Sequence, residues 1–458
     1  MNYSPQTRRE FFGAAAAVAA AVSLRPRNGR AAAAPSHTQI DTALRQATEH
    51  KDVPGVVAMA ANDKGIIYEG AFGTRDLVHG PEMTLDTVFR LASMTKAVTS
   101  VAAMQLVEQG KLRLDQPVGN VLPELSAPQV LEGFDEGGAP RLRPAKRPIT
   151  LRQLLTHTAG FAYAVWDGEL GRYIKVSGTP PGNTGKLASL RLPLVFDPGD
   201  RWEYGINLDW VGRTVEAVSG LPLEVYFRHH IFGPLGMADT DYVISAVQRS
   251  RLVSVHQRKE DGSLDPIVPP DPPWREFWSG GGGLYSTGRD YLVFLQMLMH
   301  EGRFNGAQVL RPQTVAMMGQ NQIGDIKAGI LKTTNPEVSN DVDFFPGMTC
   351  KWGLGYMINS QPGPNGRQCR QCHLGRRLQH LLLARSAQAR RRRFSHSGSA
   401  VCGRQGGRPL RRLRARHLRR IQDGLSTAAA ILPPPAARQF GAGEAHPTRA
   451  PGVVPADR

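Results

Sequence analysis

The sequence predicts an α+β fold from three observations. Apolar residues recur at helical spacing between Thr38 and His50, which predicts an amphipathic helix. Two short runs rich in Val, Ile and Ala follow at residues 55–60 and 66–71, and the turn residues between them predict a β-hairpin. The later apolar patterns are mostly helical. One hairpin is too small a sheet to be stable alone, so further strands are expected after residue 350.

The middle of the chain is expected to alternate helices with two loops. A helix is predicted from about Ser93 to Gln109, and it ends at Gly110 because glycine is common at helix ends. Residues 125–148 and 262–283 are rich in Pro and Gly, which predicts loops.

Three more helices are predicted from end signals. The first carries apolar residues from Leu208 to Val218 and ends at Gly220, and Pro222 opens the second. The third is capped by Ser286 or Thr287 and runs through Met299.

The excess of positive charge is confined to the C-terminal end of the chain. The net charge is +17, and the stretch from Arg367 to Arg458 accounts for all of it with 20 arginines and three acidic residues. Residues 1–366 carry equal numbers of basic and acidic residues, which is typical of an enzyme and does not indicate a nucleic-acid partner. The Arg-rich stretch lacks the interleaved aromatic residues that favour nucleic-acid binding, so no such partner is expected.

The N-terminus predicts export. Arg8-Arg9 precedes a small-residue apolar stretch and a run of four alanines that ends at Ala34. Residues 1–34 therefore resemble a twin-arginine signal peptide, with a mature start near Pro35 and a periplasmic or extracellular location. A disordered basic N-terminus is the alternative. No membrane span is expected after signal removal.

Ser93 and Lys96 form a Ser-x-x-Lys motif on the predicted helix. Residues three apart share one face of a helix, and a lysine can activate a serine hydroxyl if its environment lowers the lysine pKa. Alone, such a pair is more often a solvated helix face.

The context of the motif resembles a known family. Five segments in order are similar to the serine β-lactamase and penicillin-binding-protein superfamily, closest to class C β-lactamases and family VIII carboxylesterases: residues 93–118, 149–160, 196–204, 281–291 and 352–356. The resemblance covers about residues 38–365. It implies a domain over 35–365, with an antiparallel sheet flanked by helices, an inserted helical domain, and a site between them.

The resemblance also implies the site. Ser93 would be the nucleophile, and Lys96 and Tyr204 would serve as base or proton shuttle, with no cofactor and no metal. Tyr204 is followed by Ile206 and Asn207, which departs from the Tyr-x-Asn of β-lactamases and is closer to the esterase branch, where Asp209 has a counterpart. His157 is expected to be a buried structural residue.

The resemblance implies a serine hydrolase that acts through an acyl-enzyme, and small esters are the expected substrates. Two alternatives remain open. One is a β-lactamase or D,D-peptidase that acts on amides, and the other is an inactive or binding-only member. The oligomeric state is not predicted.

The Arg-rich tail from residue 366 to 458 departs from the family and is expected to be irregular, either disordered or read out of frame. The third motif strand, which would complete the oxyanion hole, is not recognisable after Gly366, and no strand alternation follows. The hypothesis is a reading-frame slip near residue 366, which resequencing of that codon region tests. An intact frame with a tail needed for activity would refute it. Cys369 to His373 matches a haem-attachment pattern, but nothing else indicates haem.

Overall fold

The computed structural model describes residues 37–360 except 79, 260, 268–274, 336–338, 340 and 344–346, together with 380–385, 387–388 and 429–430. Its helices are His37–Glu49 (α1), Thr95–Glu108 (α2), Leu151–Thr156 (α3), Gly168–Ser177 (α4), Asn207–Ser219 (α5), Leu223–Phe227 (α6), Gly233–Leu235 (α7), Ala246–Ser250 (α8), Gly288–Met299 (α9) and Pro312–Met318 (α10).

The strands are Gly55–Asn62 (β1), Gly65–Gly73 (β2), Val88–Arg90 (β3), Gln129–Phe134 (β4), Pro140–Pro144 (β5), Val255–Arg258 (β6), Leu264–Ile267 (β7), Tyr285–Thr287 (β8), Arg303–Phe304 (β9), Ala307–Gln308 (β10), Ile330–Leu331 (β11), Val342–Asp343 (β12), Cys350–Trp352 (β13), Met357–Asn359 (β14), His380–Arg385 (β15), Ala387–Gln388 (β16) and Ala429–Ala430 (β17).

The predicted helix and hairpin at the start of the domain are confirmed as α1, β1 and β2. The main sheet has the strand order β17-β15-β1-β2, in which β1 pairs antiparallel with both of its neighbours. β1 is buried on both faces, because alternate residues pack against α1 on one side and against α9 on the other. A strand with two buried faces reads as a continuous apolar run rather than an alternating one.

The second packing centre surrounds α2. Twelve of the fourteen residues of this helix are buried, and α2 packs most closely against α5. A helix buried on nearly all sides belongs to the interior of a protein, and here five of the buried residues are polar or charged. The predicted helices at 208–218 and 287–299 are confirmed as α5 and α9, and Gly220 ends α5 at a φ of +73°.

The prediction of a loop over residues 125–148 is wrong. The segment contains the antiparallel hairpin of β4 and β5. Val130 and Leu131 are buried, and the Leu131 amide donates to the Leu194 carbonyl at 2.8 Å, which ties the hairpin to the helical core. Its prolines lie at the two ends of β5, where they are tolerated in an edge strand. The loop predicted over 262–283 likewise contains β7, which pairs with β6.

The predictions for the two ends of the chain concern residues that lie mostly outside the described ones. The signal peptide at 1–34 and most of the 366–458 tail lie outside the described residues, so the export prediction and the frame-slip hypothesis stay predictions. Within the tail that was expected to be irregular, the structure describes β15 beside β1, where the sheet needed a further strand. Its three consecutive leucines give no alternation, which is why the pattern did not reveal it. Among the described helices, none has the length and apolar character to cross a membrane.

Candidate active site

Ser93 lies where the chain passes from the sheet to the central helix. β3 ends at Arg90, the Leu91 amide donates to the Leu284 carbonyl at 2.8 Å, and a 3₁₀ turn over Ala92–Met94 leads into α2. Ala92 has a φ of +47°, in the left-handed region that side chains other than glycine seldom adopt. Such a conformation persists only where the surrounding structure enforces it, and here it sets the direction of the next residue, Ser93.

Lys96 is buried beside Ser93, as the Ser-x-x-Lys spacing predicted. Its side chain is 4% exposed, and its Nζ donates to Ser93 Oγ at 3.3 Å and to the Gly281 carbonyl at 2.7 Å. A third bond runs from Nζ to the hydroxyl of Tyr163 at 3.2 Å. The pair therefore combines a half-buried serine with a buried, hydrogen-bonded lysine and is not a solvated helix face.

Two tyrosines flank Lys96. The Nζ lies 4.9 Å from the ring centroid of Tyr204 and 5.4 Å from that of Tyr163, within the range of cation–π attraction. The structure thus brings together the three residues Ser93, Lys96 and Tyr204. Sequence reasoning missed Tyr163, because it is a single aromatic residue in an irregular segment between α3 and α4 and carries no periodic signal.

The loop that carries Gly281 is held by α5. Asp209, in the first turn of α5, accepts hydrogen bonds from the Gly281 amide at 2.9 Å and from Ser279 Oγ at 2.5 Å. On the opposite side, Thr99 Oγ1 of α2 donates to the Gly280 carbonyl at 2.7 Å. The loop is therefore clamped between the two helices that meet at the site.

The electrostatics of the site favour a protonated Lys96 at rest. Burial acts to lower the pKa of Lys96, but Tyr163, Tyr204 and Asp209 act in the opposite direction and hold that pKa above its ordinary value. Burial raises the pKa of Tyr163 above its ordinary value, and Lys96 opposes that effect. The resting site therefore combines an ammonium with a neutral phenol.

His157 packs beside Tyr204 and Lys96. It is fully buried and ends α3 at a φ of +59°. Its Nδ1 lies 3.0 Å from Asn207 Nδ2, an amide nitrogen, which can only donate. Burial, together with the charge of Lys96, holds the pKa of His157 well below its ordinary value, so the ring is neutral. Its centroid is 4.6 Å from that of the Tyr204 ring, which it packs against. These contacts agree with a structural role for His157.

Asn207 makes its side-chain contacts with two other buried segments of the core. The side chain is fully buried, and its amide donates to the Phe161 carbonyl at 3.2 Å as well as to His157. In the described part of the chain, no group of three or more His, Cys, Asp or Glu residues is placed to hold a metal ion.

The fold and the site define the class of protein. The family model described as Beta-lactamase matches residues 40–410, so the chain belongs to the β-lactamase family. The predicted β-lactamase/transpeptidase-like fold is thereby confirmed.

The individual relatives point to acyl transfer. The acyltransferase mokF of Monascus pilosus is 38% identical over 297 residues, which cover 62% of this chain and 70% of the relative. The lovastatin esterase of Penicillium rubens is 35% identical, over 62% of this chain and 73% of the relative. Unliganded simvastatin synthase (LovD) of Aspergillus terreus superposes with a TM-score of 0.63 at 32% identity, over 73% of this chain and 85% of that one. The chain is an enzyme of the serine-hydrolase type.

Proposed function

We propose that this enzyme is a carboxylesterase-like hydrolase of small esters, with Ser93 as its nucleophile. The observation that carries the proposal is the 3.3 Å contact between Ser93 Oγ and the buried Nζ of Lys96. A nucleophile and a base within hydrogen-bond reach, each oriented by further contacts, are the basic requirement of covalent acyl transfer.

The reaction proceeds in two steps from the form of the site that has lost one proton. Lys96 accepts the hydroxyl proton of Ser93 as Oγ bonds to the carbonyl carbon of the ester. The proton then passes to the leaving alcohol as its bond to that carbon breaks. Water attacks the acyl-enzyme in the same way, which releases the acid and restores the Ser93 hydroxyl. Tyr204 and Tyr163 are the phenols through which the proton can be relayed.

The environment of Asn207 supports esters over β-lactams. Asn207 is next in the sequence to residue 206, where the Tyr-x-Asn pattern of β-lactamases has its asparagine, and its amide is committed to His157 and Phe161. The relatives named as acyltransferases and esterases support the same substrate class, and they suggest that an alcohol can replace water as acyl acceptor.

Hydrolysis of a short-chain nitrophenyl ester by the full chain tests the proposal. Ser93→Ala is expected to reduce kcat by several powers of ten, up to about 10⁶. A parallel assay with a chromogenic cephalosporin separates the esterase from the β-lactamase alternative. Ester turnover that survives in Ser93→Ala, or cephalosporin turnover that exceeds ester turnover, would refute the proposal.

A further inference from the structure

Asp209 is a buried carboxylate without a cationic hydrogen-bond partner. It is 5% exposed, and both of its hydrogen-bond donors, Ser279 Oγ and the Gly281 amide, are neutral. None of the ion pairs among the described residues involves Asp209. A charge taken out of water is costly unless it is compensated, so this carboxylate calls for an opposing charge.

Lys96 supplies that opposing charge across a single residue. Gly281 gives its amide N–H to Asp209 at 2.9 Å and its carbonyl oxygen to Lys96 Nζ at 2.7 Å. The orientation of one peptide segment therefore links the carboxylate to the ammonium that contacts Ser93. Asp209 also acts electrostatically on Lys96, in the direction that favours the protonated amine.

Close packing leaves this loop little freedom. A Cβ atom at Gly281 would lie 2.6 Å from Asp209 Oδ2, and one at Gly280 would lie 2.2 Å from the Leu208 carbonyl oxygen. Glycine leaves room for the α5 backbone at Gly280 and for the Asp209 carboxylate at Gly281. The carboxylate is thus held against the loop by shape as well as by hydrogen bonds.

We propose that Asp209 is a positioning residue for Lys96: it fixes the Gly281 carbonyl that holds the Lys96 amine beside Ser93, and it supplies the buried charge that opposes the ammonium. The catalytic role that this inference gives to Asp209 rests on the proposed function. The contact between Asp209 and Lys96 through Gly281 stands independently of that function.

Other titratable groups surround Lys96 and must be separated from Asp209. Tyr163 faces it from the segment before α4, Tyr204 from the segment before α5, and His157 from the end of α3. Glu203, next to Tyr204 in the chain, has a pKa raised by burial to about 7. Glu203→Gln therefore serves as the control that separates a titration near pH 7 at this neighbouring carboxyl from the titration of Lys96 at higher pH.

The decisive experiment uses Asp209→Asn in the full chain. Asparagine retains an oxygen that can accept from Gly281 and Ser279, but it lacks the charge. The ε-carbon resonance of Lys96, observed in protein labelled with ¹³C-lysine and assigned with Lys96→Met, reports the protonation of the amine directly. We expect its titration midpoint to move to lower pH by about one unit or more in Asp209→Asn, because the neighbouring negative charge favours the ammonium.

The pH dependence of ester hydrolysis gives the second readout. Because the free amine is the reactive form, activity should rise with pH, and the midpoint of that rise should fall in Asp209→Asn in parallel with the resonance. Ser279→Ala removes one hydrogen bond and keeps the charge, so it should lower the rate without moving the midpoint. Asp209→Ser is a second neutral variant should the asparagine variant fail to fold.

The outcomes are distinguishable. A Lys96 resonance that titrates at the same pH in the wild type and in the folded neutral variants would overturn the inference, whatever the activity. A midpoint that moves equally in Ser279→Ala would also overturn it. A shifted resonance in a wild-type protein without Ser93-dependent turnover would support the Asp209 inference and refute the proposed function.

Discussion

Lys96 is the residue on which the site converges. Its amine contacts Ser93, Tyr163 and the Gly281 carbonyl, so three separate segments meet at one nitrogen. In each contact the charged Lys96 amine donates the hydrogen bond, and such a bond is stronger than one between neutral groups. In the proposed mechanism the protonation of this amine decides whether it can accept the hydroxyl proton of Ser93. The groups around Lys96 are therefore expected to act on kcat more than on substrate affinity.

Tyr163 gives the sharpest prediction at this scale. Tyr163→Phe removes the hydroxyl 3.2 Å from Lys96 Nζ and leaves the ring in place. We expect kcat for ester hydrolysis to fall by about 10²-fold with little change in KM, as for loss of a proton-relay group. Steady-state kinetics of Tyr163→Phe and Tyr204→Phe, measured side by side, check this. Wild-type kcat in Tyr163→Phe would show that its bond to Lys96 has no catalytic consequence.

The loop from Ser279 to Gly283 is the element that joins the two helices of the site. It accepts a hydrogen bond from Thr99 of α2 on one side and donates one to Asp209 of α5 on the other. Its glycines differ sharply in their surroundings. A Cβ at Gly280 would meet the Leu208 carbonyl oxygen at 2.2 Å, whereas the nearest atom to a Cβ at Gly282 would be 3.8 Å away. The two positions therefore form a matched pair.

Gly280→Ala is expected to destabilise the protein, because backbone atoms must move to admit the methyl group. The free energy of unfolding in urea should fall by about 2 kcal/mol, in the range of other overpacking substitutions. Gly282→Ala, two residues along the same loop, should stay within about 0.5 kcal/mol of the wild type. Equal effects of the two substitutions on the urea midpoint would contradict the described packing of the loop against α5.

The elements differ in how far the sequence predicts them. The α1 helix, the β1–β2 hairpin and the Ser93–Lys96 pair follow from local periodicity and spacing, and all three are present. The hairpin over β4 and β5 was missed because its sequence is rich in Pro and Gly, and because its tie to the core at Leu194 is a distant contact that no local pattern encodes. Tyr163 was missed for the same reason, since only tertiary packing brings it to Lys96.

At the scale of the whole molecule, the site lies where two apolar clusters meet. Phe89 belongs to the cluster on one face of the main sheet, whereas Leu91 and Met94 belong to the large cluster around α2. Ser93 lies between Leu91 and Met94 and four residues after Phe89, so the proposed nucleophile is close to the boundary between the two clusters.

The central claim is that Ser93 forms a covalent acyl-enzyme, and mass spectrometry of the intact chain tests it most directly. After brief incubation with a nitrophenyl ester and acid quenching, the wild type is expected to gain the mass of one acyl group, located by proteolysis on the peptide that contains Ser93. Ser93→Ala should gain none. Ester turnover with the acyl group on another residue, or an equal mass gain in Ser93→Ala, would contradict the account.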